Sequence, residues 1–187
     1  MREDCQKVPT RSLHHRLFSI VVAMAIWGLP TCHLDASAQM LSDQENRNQI
    51  EKMYNHYKRS FPTVRDITPQ QTMNLRKNQK VIFVDVREVK EQEVSMLPGA
   101  LTKEEFLNNL QKYEDEIIIG YCTISYRSGK LARKLAKQGI TMLNLRGGML
   151  AWVHDGGKVY DQYGETKRIH VHGRKWNLAP KGYEAIW

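Results

Sequence analysis

Cys122 and Arg127 bracket four residues, Thr123-Ile124-Ser125-Tyr126, and Ser128 follows directly. A thiol acts as a nucleophile through its thiolate, which a nearby guanidinium and a helix N-terminus both favour. A short loop of backbone N–H groups can also hold a sulfur anion, a persulfide or an oxyanion such as thiosulfate. Attack of such a thiolate on a sulfane sulfur gives a Cys–S–S⁻ intermediate, splitting one transfer into two steps. Arg127 adds charge-assisted donors. Asp85 closes another apolar run and is expected to hydrogen-bond the loop or Arg127. A lone cysteine is more often a packing residue. Here the surroundings of Cys122 favour chemistry.

Those surroundings are strand, loop and helix in succession. Ile117-Ile118-Ile119 reads as a buried strand, and Leu131, Ala132, Leu135 and Ala136 repeat at helical spacing until Gly139. Ligands of α/β proteins sit outside the carboxyl ends of strands, where Cys122 falls. Val81 to Val86 forms a second β-branched run that reads as a central strand. Thr68-Pro69 starts a short helix, and Thr102-Lys103-Glu104-Glu105 is a capping box for a helix to about Lys112, with Phe106, Leu107 and Leu110 inward. Thr141 to Leu145 reads as a strand. Arg146-Gly147-Gly148 turns into a helix bearing Met149, Ala151, Trp152 and Val153, which Gly156-Gly157 ends. Strands separated by helices predict a parallel sheet covered on both faces.

The flanks differ from this pattern. Arg11, His14, His15 and Arg16 precede an apolar core, Leu17 to Leu29, which is short for a membrane span. Ala36-Ser37-Ala38 fits small-residue cleavage before Gln39, so residues 1–38 read as an export signal. Leu29-Pro30-Thr31-Cys32 is a weak match to a lipoprotein site, because Thr31 is large for its position. Cleavage after Ala38 removes Cys5 and Cys32 and leaves Cys122 as a single thiol, so no internal disulfide can form. Residues 39–62 read as a polar helix lying across the domain's edge, with Ile50, Met53, Tyr54 and Tyr57 at helical spacing and Pro62 as its end. Residues 158–187 are too aromatic for a disordered tail. A hairpin about Gly164 and an irregular segment packing back on the domain are expected. His170 and His172 alternate as on one strand face, and His154 could join them, but no third ligand follows at a fixed spacing, so no metal site is expected. The 187 residues suit one domain with extensions, and 41% hydrophobic content supports a core. The formal charge is +8. It suits anionic small substrates or an acidic partner. The basic residues are spread along the chain and no nucleic-acid motif appears.

From about Ile67 to Gly157 the chain resembles a single rhodanese domain. Val84-Asp85-Val86-Arg87-Glu88 is similar to that family's first-strand signature, and Leu97-Pro98-Gly99-Ala100 to its turn. Cys122 to Ser128 resembles its active loop, and Leu145-Arg146-Gly147-Gly148 with Ala151-Trp152 its closing segment. The resemblance implies a rhodanese-like three-layer α/β/α fold with a mainly parallel sheet, here with an N-terminal helix and a C-terminal extension. With the flanks, which the resemblance does not cover, the chain divides into a signal at 1–38, a helical extension at 39–62, the domain at 63–157 and the extension at 158–187.

It also implies a thiosulfate-type sulfurtransferase in which Cys122 carries a persulfide and Arg127 assists. Thr123, Ile124, Ser125, Tyr126 and Ser128 would cradle the sulfur, with Asp85 in support. No cofactor is implied. The partners are a small anionic sulfur donor and a thiol or cyanide-like acceptor, which an acceptor protein could supply. Neither nucleic acid nor stable membrane insertion after signal cleavage is expected. Two positions depart from the family. Ser125 stands where Gly is common, and a Cβ limits positive φ there. Met96 stands near a place often held by His. Two other functions compete. Cysteine phosphatases and arsenate reductases use five residues between Cys and Arg, and here there are four. A non-catalytic rhodanese-like module for binding or redox sensing is the alternative reading.

Export makes the first prediction: the exported, periplasmic or secreted form should begin near Gln39. N-terminal sequencing checks this, and an intact Met1 or a lipidated Cys32 would contradict it.

Overall fold

The computed structural model describes residues 32–187, with side chains from Ser42 onward, so the basic flank and apolar core of the expected signal lie outside the described residues. Among the described residues no helix is long and apolar enough to cross a membrane.

The apolar runs form the strands. β1 is Asp66–Ile67, β2 Val81–Asp85, β3 Leu101–Thr102, β4 Ile117–Tyr121 and β5 Leu143–Leu145. They lie side by side in the order β1-β5-β4-β2-β3, all parallel. The longest ladder joins β2 to β4, from Val81 opposite Ile117 to Asp85 opposite Tyr121. It brings the ends of the two runs level, directly before Cys122.

Alternation along these strands divides the core in two. Phe83, Ile119, Tyr121 and Leu145 belong to one buried cluster with Met149, Trp152 and Val153. Val84 and Ile118 belong to the other with Phe106, Ala132 and Leu135. A parallel sheet needs both faces covered, and the helices supply the covers. α4 (Lys103–Asn108) and α5 (Tyr126–Ala136) carry residues of the second cluster, and α6 (Gly148–His154) residues of the first.

Thr68 and Thr102 are N-caps with complete capping boxes, starting α2 (Pro69–Leu75) and α4. α4 is shorter than its sequence suggested. It stops at Asn108 and a 3₁₀ turn over Leu110–Tyr113 follows, which leaves Leu107 37% exposed while Phe106 is buried.

α1 runs over Cys32–Lys58, so its backbone spans the expected cleavage point. It does not reach Pro62. The chain turns after Lys58 through bonds from Ser60 N–H to the Tyr57 carbonyl and from Phe61 N–H to that of Lys58. Ile50 of α1 joins one core cluster and Tyr54 the other, so the helix closes the sheet across its edge. Phe61 then packs on α5 where Gly129 has no side chain. A Cβ on Gly129 would stand 2.4 Å from the ring.

The tail forms the expected hairpin, β6 (Val159–Asp161) with β7 (Gly164–Thr166). Its β8 (Arg168–His170) pairs in parallel with β9 (Glu184–Ile186), a long-range pairing the sequence did not suggest. Met96 bridges Tyr160, and Val159, Ile169, Val171 and Leu178 enter the first cluster, so the tail is part of the core.

A buried ionic network ties the strand ends. Asp85 accepts from Arg87 Nε at 2.9 Å, from Arg87 Nη2 at 2.6 Å and from the Tyr121 hydroxyl at 2.6 Å. Leu97 N–H donates to the Tyr121 oxygen at 3.1 Å, fixing the Leu97-Pro98-Gly99 turn to β4. Both side chains of the Asp85–Arg87 pair are fully buried. Burial works against the Arg87 charge, and Asp85 more than restores it. Removing one partner of such a pair strands the other charge, at a cost of about 3–5 kcal/mol. Arg87→Met should therefore lower stability by about that much, read as a shift of the urea midpoint. A change within the range of ordinary surface substitutions would contradict the role of the pair.

Candidate active site

β4 ends at Tyr121, and the chain passes through the loop into α5 at Tyr126. Cys122, a free thiol 2% exposed, is the first loop residue. Its carbonyl accepts from Met149 N–H at 2.9 Å, and the Thr123 carbonyl accepts from Leu150 N–H at 3.2 Å. The start of α6 is thus bonded to the loop. Gly148 permits this approach: a Cβ there would stand 2.3 Å from the Cys122 carbonyl oxygen. Among the described residues, the backbone N–H groups of Thr123 to Ser128 make no hydrogen bond to another protein group.

Ser125 overturns the expectation drawn from its Cβ. It adopts φ 69° and ψ 19°, a left-handed conformation, as N-cap of α5. Its hydroxyl donates to the Leu145 carbonyl. Backbone strain at a non-glycine residue of this kind costs on the order of 1 kcal/mol or more, and the buried hydrogen bond offsets it.

Arg127 is held by a residue the sequence reading missed. Its Nη1 donates to Glu91 Oε2 at 2.5 Å and its Nη2 to Glu91 Oε1 at 2.7 Å, a fork-to-fork pair. Glu91 lies in α3 (Val89–Gln92), a single turn whose Glu88 N–H donates back to the Glu91 carboxylate at 3.0 Å. The Glu88-x-x-Glu91 spacing was the available signal, a capping box built on glutamate. Thr123 Oγ1 stands 3.3 Å from Glu91 and 3.5 Å from Arg127 Nη2. Burial raises the Glu91 pKa, but the Arg127 hydrogen bonds, the Glu88 N–H and the nearby arginine charges outweigh it and bring it to about 2. Arg127 is held above its ordinary value against burial, by Glu91 and by Cys122, which is close enough to interact with it.

Asp85 therefore does not have its expected role. Its carboxylate bonds to Arg87 and Tyr121, and Glu91 is the carboxylate that orients Arg127. Ser128 is also turned away. It is fully buried, and its hydroxyl donates to Asn144 Oδ1 at 2.7 Å, tying α5 to β5. Cys122, Thr123, Ile124, Tyr126 and Arg127 line one cavity of about 420 Å³. Its other walls come from the flanks: His56, Tyr57 and Ser60 from α1 and the turn after it, and His172 and Trp176 from the tail. The two histidines do not share a strand face. β8 stops at His170, and His172 takes φ 64°. His170 is buried 3.7 Å from Glu91, and burial holds its pKa below the ordinary value against the pull of that carboxylate. Among the described residues no cluster of His, Cys, Asp or Glu could hold a metal ion.

Residues 68–155 match the family described as "Rhodanese-like domain". The chain is 32% identical over 95 residues to the thiosulfate sulfurtransferase GlpE of Glaesserella parasuis serovar 5 (strain SH0165), spanning 49% of this chain and 88% of that protein. The chain belongs to the rhodanese-like family. Among solved structures, it is similar to the rhodanese-like domain protein from Staphylococcus aureus, with 31% identity, 48% of this chain and 91% of that one covered, and a TM-score of 0.43. It is also similar to the rhodanese-related protein from Thermoplasma volcanium, with 21% identity, 51% and 96% covered, and a TM-score of 0.44. The family-matched stretch contains the loop and Glu91. It leaves out α1 and the tail, which wall the cavity of this rhodanese-like protein.

A folded-state pKa of about 2 for Glu91, below its ordinary 4.5, fixes the sign of a pH effect. The stabilisation is fully present above the unfolded-state value. It is lost as pH falls from there towards the folded-state value. Glu91→Gln should flatten the pH dependence of the urea midpoint in that acid window. An unaltered acid slope would show that the Arg127–Glu91 pair carries no such stabilisation.

Proposed function

We propose that this protein is a sulfurtransferase that carries sulfane sulfur on Cys122 as a persulfide. The observation that carries the reading is the place of Cys122: between β4 and α5, on a loop with uncommitted N–H groups, in one cavity with Arg127. Kinship with a thiosulfate sulfurtransferase supports the reaction class. In the first half-reaction the Cys122 thiolate attacks the outer sulfur of a donor such as thiosulfate. The donor's S–S bond breaks, sulfite leaves with the electron pair, and Cys122–S–S⁻ remains. The loop N–H groups and the N-terminus of α5 stabilise that anion. Arg127 meets the leaving anion with a guanidinium whose plane Glu91 sets. Glu91 also balances part of the Arg127 charge, so Arg127 contributes orientation as much as attraction. A thiol or cyanide-like acceptor then removes the outer sulfur. The chemistry requires no cofactor. Export after cleavage at Ala38 belongs to the same reading, supported by the Ala36-Ser37-Ala38 pattern.

Cys122→Ser should abolish transfer, since a hydroxyl offers no comparable anion and cannot carry the persulfide. Arg127→Ala should lower kcat/KM for thiosulfate by about ten- to a hundredfold, the worth of one charge-assisted contact. Arg127→Lys should recover only part of it, because lysine cannot reproduce the fork to Glu91. Thiosulfate kinetics and intact mass after thiosulfate test all three variants. Absence of a sulfur adduct on wild-type Cys122 would point to a binding or redox-sensing module.

A further inference from the structure

The cavity over Cys122 is larger than an inorganic donor needs. Thiosulfate displaces about two to three water volumes of roughly 30 Å³ each, while the cavity holds about 420 Å³. Such an ion occupies only the space beside Cys122 and Arg127. Much of the remaining wall is aromatic. Tyr57 of α1 lies 5.0 Å from Tyr126, ring centroid to centroid, and tilted by 47°. Trp176 of the tail stands edge-on to His172, also at 5.0 Å. Ring faces and edges of this kind suit a flat apolar body. Cations stand over two of the rings that line it. Lys175 Nζ lies 4.0 Å over the Trp176 ring and Lys130 Nζ 5.3 Å over Tyr126, and both lysines are exposed. Their charge suits an anionic group on the same ligand.

We infer that the sulfur acceptor is an organic thiol with a planar apolar body and an anionic group, selected by Tyr57 and Trp176. This rests on the sulfurtransferase reading above. The acceptor thiol R–SH passes its proton to the outer sulfur of Cys122–S–S⁻ as its own sulfur bonds to that atom. The S–S bond breaks, its electron pair returns to Cys122 Sγ as thiolate, and R–S–SH leaves. No further oxidant or reductant is required. Tyr57 and Trp176 lie outside the family-matched stretch, so this selectivity belongs to the chain's own extensions.

The test loads Cys122 with thiosulfate, confirms the sulfur adduct by intact mass, and follows its discharge by 4-mercaptobenzoate, 2-mercaptoethanol and cyanide. Comparing each variant with wild type cancels the intrinsic reactivity of the acceptors. The ratio of 4-mercaptobenzoate to cyanide rates should fall about tenfold in Trp176→Ala and in Tyr57→Ala, and Trp176→Phe should recover most of it. The ratio of 2-mercaptoethanol to cyanide rates should change far less. If both alanine variants load but keep the wild-type 4-mercaptobenzoate ratio, the inference is overturned while the proposed function stands. If wild type does not load, the proposed function fails and the transfer step fails with it. Calorimetry with 4-(methylthio)benzoate, which has no thiol, then decides the occupant alone. Saturable binding weakened about tenfold by Trp176→Ala supports a planar anionic ligand, and no saturation overturns it.

Discussion

A guanidinium with no exposed surface must be matched where it lies, and the Asp85–Arg87 pair is where this fold meets that demand. Asp85 also accepts from Tyr121, the last residue before the cysteine. The carboxyl ends of the two longest paired strands are therefore joined by an interaction that cannot slide by one residue without stranding a charge. Tyr121 passes the constraint to the Leu97 turn, and Arg87 passes it to the Ser95 carbonyl and the Met149 sulfur. Met149 in turn bonds the Cys122 carbonyl through its N–H. The loop hence stands on a polar pedestal beneath it and is bonded to α6 beside it. Such anchoring is what a loop of uncommitted N–H groups needs if it is to keep its shape without a ligand.

Two arginines with two carboxylates divide the work in this region. The inner pair, Asp85–Arg87, is closed to solvent and sets strand ends. The outer pair, Arg127–Glu91, leaves Arg127 27% exposed towards the cavity while its carboxylate stays buried. A half-open arginine on a buried anchor keeps its fork in one plane and still offers an edge to an incoming anion.

The central architecture was legible because its signals are local. The apolar runs at Val81 and Ile117, the threonine capping boxes and the glycines at 147 and 148 each carry their own reason. So does the cysteine at a strand end. What escaped the sequence depended on distant pairing. Asp85 looked like a partner for Arg127 because it ends a neighbouring strand, yet Arg87, two residues away, takes its carboxylate first. Glu91 sat in a one-turn helix too short for any periodicity. Ser125 showed that a side-chain bond can support a conformation its Cβ disfavours. The tail's β8–β9 pairing joins residues far apart in the chain, and no local pattern announces a parallel pair.

α1 places Ile50 in one core and Tyr54 in the other, and the tail adds Val159, Ile169 and Val171. The stretch that carries the family likeness, residues 68–155, is consequently not a portable module in this chain. Excised at those limits it would open both hydrophobic layers to water and take two walls from above its own cysteine. The compact unit, Ala38–Trp187, is wider than the stretch that homology delimits. Insertions or fusions made at the edges of the likeness would cut through the core, where a family of interchangeable domains would suggest a linker.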